Sequence, residues 1–274
     1  MKNILMYVVE NNETNINNKQ GVYSDKRLYE DEVISSVKSW RKNGGWLKNI
    51  DIYVVCPTKN LPEKTTIDTL KSLDVIYLEE YMEETEGFEC GYWSVPLVGR
   101  WMEQNIEFDN MIHIDCDMSL LRPLPLVMFT LPVPVCGIYD INSAKDQRQL
   151  PPGWSRPFDT GFTISSKDSK FYELFEEVLF QITEDLDPLW VEYCSDRPFQ
   201  DIEEFAMDKI YNENMMEIIT VMKYQAGEGY ADVDTYDDFE VRNVYFWHEH
   251  KMNQQKEHLI RERVQLMKRI RNVD

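Results

Sequence analysis

The feature that most constrains the fold is a regular alternation of short apolar runs with helix-periodic segments over roughly the first 120 residues. The continuous apolar run from Asn3 to Val9 is typical of a strand buried on both faces of a parallel sheet. Apolar residues then recur at helical spacing from Leu28 to Trp40, and Gly44 and Gly45 follow as a stop signal. This alternation predicts a doubly wound α/β fold with a parallel sheet. The predicted strands are 3–9, 50–55, 74–78 and 111–114, and the predicted helices are 25–42, 62–73 and 95–105.

The second half of the chain is less regular but continues the same domain. It contains no repeat and no low-complexity linker, so we expect one mixed α/β domain over residues 1–250. Residues 121–250 would then form one side of a cleft whose other side is built by residues 1–120. Strands are predicted at 133–139, 158–165, 216–222 and 241–247, and helices at 168–182 and 200–211.

Composition excludes several classes of protein. The formal net charge of −20 opposes nucleic-acid binding, because most of the surface would repel phosphates. The five cysteines are scattered without a C-x-x-C pair, so we expect free thiols rather than a structural zinc site. The apolar runs are too short to cross a bilayer, and no secretory signal is recognisable. We therefore expect a soluble, cytoplasmic protein.

The last segment, residues 251–274, differs from the acidic body. It holds seven Lys and Arg against three Asp and Glu, a local charge of +4. Apolar residues between Leu259 and Ile270 alternate with these basic ones, which predicts a basic amphipathic helix. Such a helix can pack on the acidic body, which we favour, or form an oligomer contact, or lie on an anionic membrane surface.

The sharpest chemical motif is Met111-Ile-His-Ile-Asp115-Cys-Asp117, in which two carboxylates directly follow a predicted strand. Residues two apart on an extended backbone point to the same side, so both acids can face one ligand. Ligands of parallel α/β sheets bind beyond the carboxyl ends of the strands. The pair can thus hold a hard divalent cation against a diphosphate. Alternatively, both acids only cap the turn that precedes residues 120–123.

The string from Ile114 to Pro123 resembles the D-x-D motif of the GT-A family of nucleotide-sugar glycosyltransferases. This resemblance implies a Rossmann-like, mixed but mostly parallel sheet flanked by helices, with a nucleotide-sugar-binding half at residues 1–120 and an acceptor-side half at 121–250. It implies a donor contact and metal ligation by Asp115, and metal ligation by Asp117. The implied cofactors are Mn²⁺ or Mg²⁺ and a nucleotide-sugar, most commonly UDP-linked, and the implied acceptor is a glycan or another hydroxyl group.

The same resemblance implies further donor contacts. Those to the base and ribose would come from Val8, Val9 and Glu10 at the end of the first strand, largely through backbone atoms. Arg100 matches a position at which GT-A enzymes present a cation to the donor phosphates, although a single helix Arg more often faces solvent.

Histidines offer a third metal ligand. A C-terminal histidine completes the metal site in the glycogenin-like branch of the family, which implies His248 here, with His250 second. The Gly and Lys-Pro-Trp that follow this histidine in glycogenin-like proteins are absent. The pair can equally be a strand end without a ligand. His113 lies inside an apolar strand, and we expect a core role for it.

Acceptor contacts are implied on the second half. The stretch from Arg156 to Ile164 resembles the family's Asp-x-Gly-Phe segment, with Asp159 in the polar position. Trp154 lies in a turn-rich loop, where it can stack on an acceptor sugar or fill the core.

A predicted helix start carries candidate catalytic bases. The stretch from Pro198 to Phe205 places Asp201, Glu203 and Glu204 in the first helical turn, where GT-A enzymes often keep the carboxylate that deprotonates the acceptor. The alternative is that the helix dipole alone favours acids there.

Two competing functions use the same features. Haloacid-dehalogenase-like phosphatases also place D-x-D after an apolar strand, but on the first strand of the fold, whereas three predicted strands precede Asp115. A catalytically inactive GT-A scaffold that serves binding or assembly is the non-enzymatic alternative.

Overall fold

The parallel strands predicted from the N-terminal half form one side of a seven-stranded sheet, beside which lies a three-stranded sheet. The computed structural model describes residues 1–10, 28–80, 94–137, 151–155, 159–184, 187–193, 202–221, 225–227, 237–248, 263 and 265–270. The strands are β1 (Asn3–Val8), β2 (Asp51–Cys56), β3 (Val75–Glu79), β4 (Asn110–Ile114), β5 (Met118–Leu120), β6 (Val135–Gly137), β7 (Asp159–Ser166), β8 (Ile219–Val221), β9 (Gln225–Gly227) and β10 (Phe246–His248). The α-helices are α1 (Leu28–Asn43), α2 (Lys64–Ser72), α3 (Ser94–Asn105), α4 (Phe171–Glu184), α5 (Pro188–Tyr193), α6 (Ile202–Asn212) and α7 (Asp238–Asn243).

The large sheet has the strand order β3-β2-β1-β4-β7-β6-β8, and the small sheet has the order β5-β10-β9. The large sheet is mixed but mostly parallel, which confirms the predicted fold class. β1 pairs in parallel with both β2 and β4, and β2 pairs in parallel with β3. β7 runs antiparallel between β4 and β6, and β8 is parallel to β6. Because β1 and β4 are parallel neighbours, their carboxyl ends meet at one edge of the sheet, where the Asp115 to Asp117 motif begins.

Helices cover both faces of this sheet. On one face α3, α4 and α6 bury apolar side chains against alternate residues of β1 and β4, such as Ile4 and Met111. On the other face α1, α2 and the small sheet pack against the intervening residues, such as Leu5 and Ile112. This two-sided burial explains why the central strands are continuously apolar.

The outer edge of β5 is closed by polar side chains of α1 rather than by another strand. Ser36 donates to the carbonyl of Met118, and Tyr7 and Ser36 share a hydrogen bond of 2.7 Å between their hydroxyl oxygens. The Leu120 amide donates to Ser39 Oγ at 2.7 Å, and Asn43 Nδ2 donates to the Leu120 carbonyl at 2.7 Å. Backbone groups of a sheet edge that would otherwise need water or a partner strand are thereby satisfied.

Two segments differ from the sequence prediction. The strand predicted at 241–247 is a short helix, α7, followed by β10, because Val241 and Val244 pack from the helix and the turn after it against Trp247. α5 was not predicted. Within the described residues, no helix is both long and apolar enough to cross a membrane.

The C-terminal helical residues 265–270 pack on the body of the protein, as we favoured from the sequence. Leu266 and Ile270 are buried together with Leu121, Val241 and Trp247. The apolar stripe of this segment is therefore covered by the rest of the chain.

Candidate metal centre

A tight turn at the end of β4 presents both acidic side chains of the D-x-D motif. The Asp115 amide donates to the carbonyl of Gly161 at 2.9 Å, which extends the β4–β7 pairing by one residue. The Met118 amide donates back to the Asp115 carbonyl at 3.2 Å, which closes the turn. Asp115 and Asp117 are both partly buried at the carboxyl edge of the sheet.

His248 is brought to this turn by the small sheet. β10 pairs antiparallel with β5, and His248 lies opposite Met118, the residue after Asp117. The His248 Nε2 atom is 3.1 Å from Asp117 Oδ1. One ligand atom from each of Asp115, Asp117 and His248 lies within 4.8 Å of the others. The three residues are thus close enough to hold one ion, although 131 positions separate Asp117 from His248 in the chain.

The donor set suits a divalent cation. Two ligands at right angles around an ion, each about 2.1 Å from it, are about 3 Å apart. The Asp117–His248 separation of 3.1 Å agrees with such a ligand pair. Carboxylates are preferred ligands of hard divalent cations, and imidazole is a common ligand of transition metals. Asp115, Asp117 and His248 would together hold such an ion.

The local electrostatics favour a cation. Desolvation raises the pKa of the Cys116 thiol well above its usual value, and the negative charges of Glu32, Asp117 and Asp115 raise it further. This thiol therefore stays protonated at neutral pH when no metal is bound. Glu32, on α1, adds a third carboxylate to the negative potential around the turn.

Two of the three acids predicted as catalytic bases, Glu203 and Glu204, lie at the start of α6, next to β7. Thr160 Oγ1 donates to Glu203 Oε1 at 3.2 Å, and the Glu203 side chain is buried, with 8% of its surface exposed. Glu204 is partly exposed, and Asp201 lies outside the described residues. Thr160 was missed by the sequence analysis, although its hydroxyl stands beside Gly161 in the motif that resembles the acceptor segment. Asp159 is the first residue of β7, opposite Gly137.

The residues proposed for the donor base lie at the end of β1. The Val9 amide donates to the Val55 carbonyl at 3.0 Å, so it serves the sheet. The Glu10 carboxylate is buried and accepts a hydrogen bond from Thr58 Oγ1 at 2.9 Å. Val8 is partly buried against the core. The expected backbone contacts to a donor remain a prediction.

Arg100 lies in a cluster of carboxylates between α3 and α4. Its guanidinium is 3.0 Å from Glu173, 3.5 Å from Glu103 and 3.8 Å from Glu176. Burial raises the pKa of both Glu103 and Glu176, and the nearby Arg100 charge counters this effect. These contacts account for Arg100 without a ligand, and its contact with donor phosphates remains a prediction.

Trp154 and His113 both have contacts in the core. Trp154 stacks on Phe205 of α6 with ring centroids 5.5 Å apart, which agrees with the core alternative. Its contact with an acceptor sugar remains a prediction. His113 is buried inside β4, as expected of a core histidine. His250 lies outside the described residues.

A solved structure of a glycosyltransferase shares this fold. The apo form of the glycosyltransferase GlyE of Streptococcus pneumoniae TIGR4 aligns with a TM-score of 0.53 and 8% sequence identity, over 98% of this chain and 62% of that one. A glycosyltransferase involved in glycosylation of the major capsid of PBCV-1 aligns with a TM-score of 0.47 and 13% identity, over 99% and 100% of the two chains. No family model matches the sequence. No curated protein matches it either.

Proposed function

We propose that the protein is a metal-dependent glycosyltransferase that moves a sugar from a nucleoside diphosphate sugar, UDP-linked in the first instance, to a glycan or another hydroxyl acceptor. The observation that carries this proposal is the convergence of Asp115, Asp117 and His248 at the carboxyl edge of the sheet. The fold, which is shared with glycosyltransferases, supports it as well.

In this proposal Asp115, Asp117 and His248 hold a divalent cation, which supplies the positive charge that stabilises a leaving diphosphate. The protein contributes the geometry of that site. The β4–β7 hydrogen bond fixes Asp115, and the β5–β10 pairing fixes His248 beside Asp117. An acidic protein thereby binds an anionic donor, because the ion offsets the charge of both partners.

The acids of α6 take different roles in the proposal. A general base must touch the acceptor hydroxyl, which suits the partly exposed Glu204, and Asp201, better than the buried Glu203. We assign Glu203 a positioning role. Glu203 accepts a hydrogen bond from Thr160 of β7, and the next residue of β7, Gly161, accepts one from the Asp115 amide. β7 thereby fixes the position of the start of α6 relative to the metal centre.

The phosphatase alternative has less support. Its D-x-D motif belongs to the first strand and is completed by a later pair of acids, whereas here the motif follows β4 and the third residue at the site is His248. We therefore favour glycosyl transfer over the phosphatase. The activity assay described next also tests whether the protein is an inactive scaffold.

The proposal is tested by nucleotide release from a panel of UDP- and GDP-sugars, with water as a slow acceptor. We expect release that requires Mn²⁺ and falls at least about 100-fold in Asp117→Asn, since a ligand contributes no less than outer-shell partners do. The matched control, Asp68→Asn, changes an exposed acid of α2 and should keep full activity. Equal activity in Asp117→Asn would refute the assignment. A metal-dependent beryllium fluoride adduct of Asp115 would favour the phosphatase.

A further inference from the structure

An exposed apolar patch lies at the far end of α1, where residues 45–47 meet the turn after β5. Trp46, Leu126 and Val127 expose 47%, 58% and 61% of their surfaces. The patch is held in place, since Trp46 Nε1 donates to the Leu124 carbonyl at 3.0 Å. The Trp46 ring also packs edge-on against buried Phe129, with centroids 5.0 Å apart. We call these three exposed side chains the apolar tip.

The chain around the apolar tip is basic. Residues 41–50 and 118–137 contain Lys and Arg but no Asp or Glu, in a protein with 49 acidic residues and a formal net charge of −20. Lys42 and Lys48 are exposed. Arg122 lies close to the tip in sequence, with its guanidinium carbon 5.8 Å from the centroid of the Tyr245 ring. We call Lys42, Lys48 and Arg122 the basic rim of the tip. Arg41 does not belong to it, because its guanidinium is partly buried between Asp51 and Asp74.

The basic C-terminal segment adjoins this rim. Leu266 and Ile270 are buried in one cluster with Leu121, the residue before Arg122. Lys268, between them in sequence, is exposed. Because Leu266 and Ile270 are buried in this cluster, the exposed Lys268 adds a positive charge close to Leu121.

The apolar tip lies beyond the C-terminal end of α1, whereas the metal centre lies beside the middle of this helix. Ser36, which bonds to Met118 next to Asp117, stands seven positions before Asn43, the last residue of α1. At 1.5 Å per residue the end of α1 is about 10 Å from Ser36 along the helix axis. A partner on the tip would thus leave the metal centre open to solution.

We propose that the apolar tip and its basic rim dock the protein on an anionic phospholipid bilayer. An exposed Trp with aliphatic neighbours enters the headgroup boundary, and flanking Lys and Arg attract anionic lipids. A second copy of the chain fits less well, because a symmetric contact would oppose two positive rims. The inference does not depend on the proposed catalytic activity.

Co-sedimentation with vesicles tests this proposal. The full chain should bind vesicles of phosphatidylcholine mixed with phosphatidylglycerol, bind phosphatidylcholine alone much more weakly, and dissociate at high salt. Lys42→Glu with Lys48→Glu should weaken binding about 30-fold, as each basic residue near an anionic surface contributes roughly a factor of five. The triple variant Trp46→Ser, Leu126→Ser, Val127→Ser should weaken it at least about tenfold.

A matched triple variant separates this surface from general exposure. Leu61→Ser, Val191→Ser and Met215→Ser change three other exposed apolar residues and should leave vesicle binding unchanged. The Lys42 and Lys48 variant and the control triple variant should keep the wild-type circular dichroism and unfolding temperature. Because Trp46 also packs on Phe129 and bonds to the Leu124 carbonyl, the Trp46 triple variant is compared at a temperature at which its circular dichroism equals that of the wild type. Absence of wild-type binding to anionic vesicles overturns the proposal, as does equal binding by the Trp46 triple variant. A dimer in solution that this triple variant dissociates would also overturn it and would assign the surface to a second copy.

Discussion

Gly99 allows α3 to pack directly on α4, and its replacement by Ala should destabilise the protein measurably. A Cβ atom at Gly99 would lie 2.1 Å from Cδ1 and 2.4 Å from Cγ of Tyr172, whereas carbon atoms in contact are normally about 3.5–4.0 Å apart. The ring cannot easily retreat, because Tyr172 is fully buried and its hydroxyl shares a 2.8 Å hydrogen bond with Thr163.

The expected cost follows from two opposing effects. Overpacking a core costs about 1–3 kcal/mol, and a clash this short lies at the upper end. Replacing a helical Gly by Ala offsets about 1 kcal/mol through helix propensity. We therefore expect Gly99→Ala to lower the free energy of unfolding by about 2 kcal/mol and the Tm by about 4–8 °C.

Denaturation followed by circular dichroism measures this change, and a double-mutant cycle tests its cause. Tyr172→Leu removes the ring that the new methyl group meets, so Gly99→Ala should cost at least about 0.5 kcal/mol less in the Tyr172→Leu background. A Gly99→Ala protein as stable as the wild type, or a cycle without coupling, would refute the packing argument.

Three further predictions concern the site and its supports. Thr160→Val should lower the turnover of donor hydrolysis while the affinity for metal and nucleotide stays unchanged, and Thr160→Ser should restore turnover. Asn43→Ala should weaken metal binding, since β5 loses the donor to the Leu120 carbonyl. Burial raises the pKa of Asp187, but hydrogen bonds, chiefly from Lys209, lower it overall. The stabilisation by Asp187 is therefore present above its unfolded pKa of about 3.9 and lost as pH falls through the folded value.

Each of these predictions has its own measurement. Turnover and nucleotide affinity are measured separately for the Thr160 variants, and equal turnover in all of them would remove the positioning role. Metal titration of Asn43→Ala at unchanged stability isolates the effect on β5. For the acid-dependent contribution, the stability of wild type and Asp187→Asn is compared between pH 7 and pH 3. A difference that grows on acidification would contradict the sign.

The positions of the central strands were predictable from the sequence because local signals suffice for them, whereas the order of the strands in the sheet was not predicted. Continuous apolar runs such as Asn3–Val8 can only be buried on two sides, and stop signals such as Gly44 mark the ends of helices. The D-x-D turn followed from its place after β4.

Elements held by distant contacts were less predictable. β5 was expected to be a turn, since nothing local shows that Ser36 and Asn43 of α1 close one edge and β10 the other. The short distance between Asp117 and His248 depends on this same pairing of β5 with β10. The resemblance to a family suggested His248, but no spacing in the sequence defines a 3.1 Å contact. The Thr160–Glu203 hydrogen bond was missed for the same reason.

The central claim is that Asp115, Asp117 and His248 hold the ion that binds the donor diphosphate. Its most direct test is calorimetric titration with UDP and GDP, each with and without Mn²⁺, on the wild type, Asp117→Asn and the control Asp68→Asn. We expect that at least one of the two nucleotides binds the wild type only with Mn²⁺. The same nucleotide should bind the control equally well and should not bind Asp117→Asn. Binding that ignores the metal or the substitution, or no binding of either nucleotide under any condition, would contradict it.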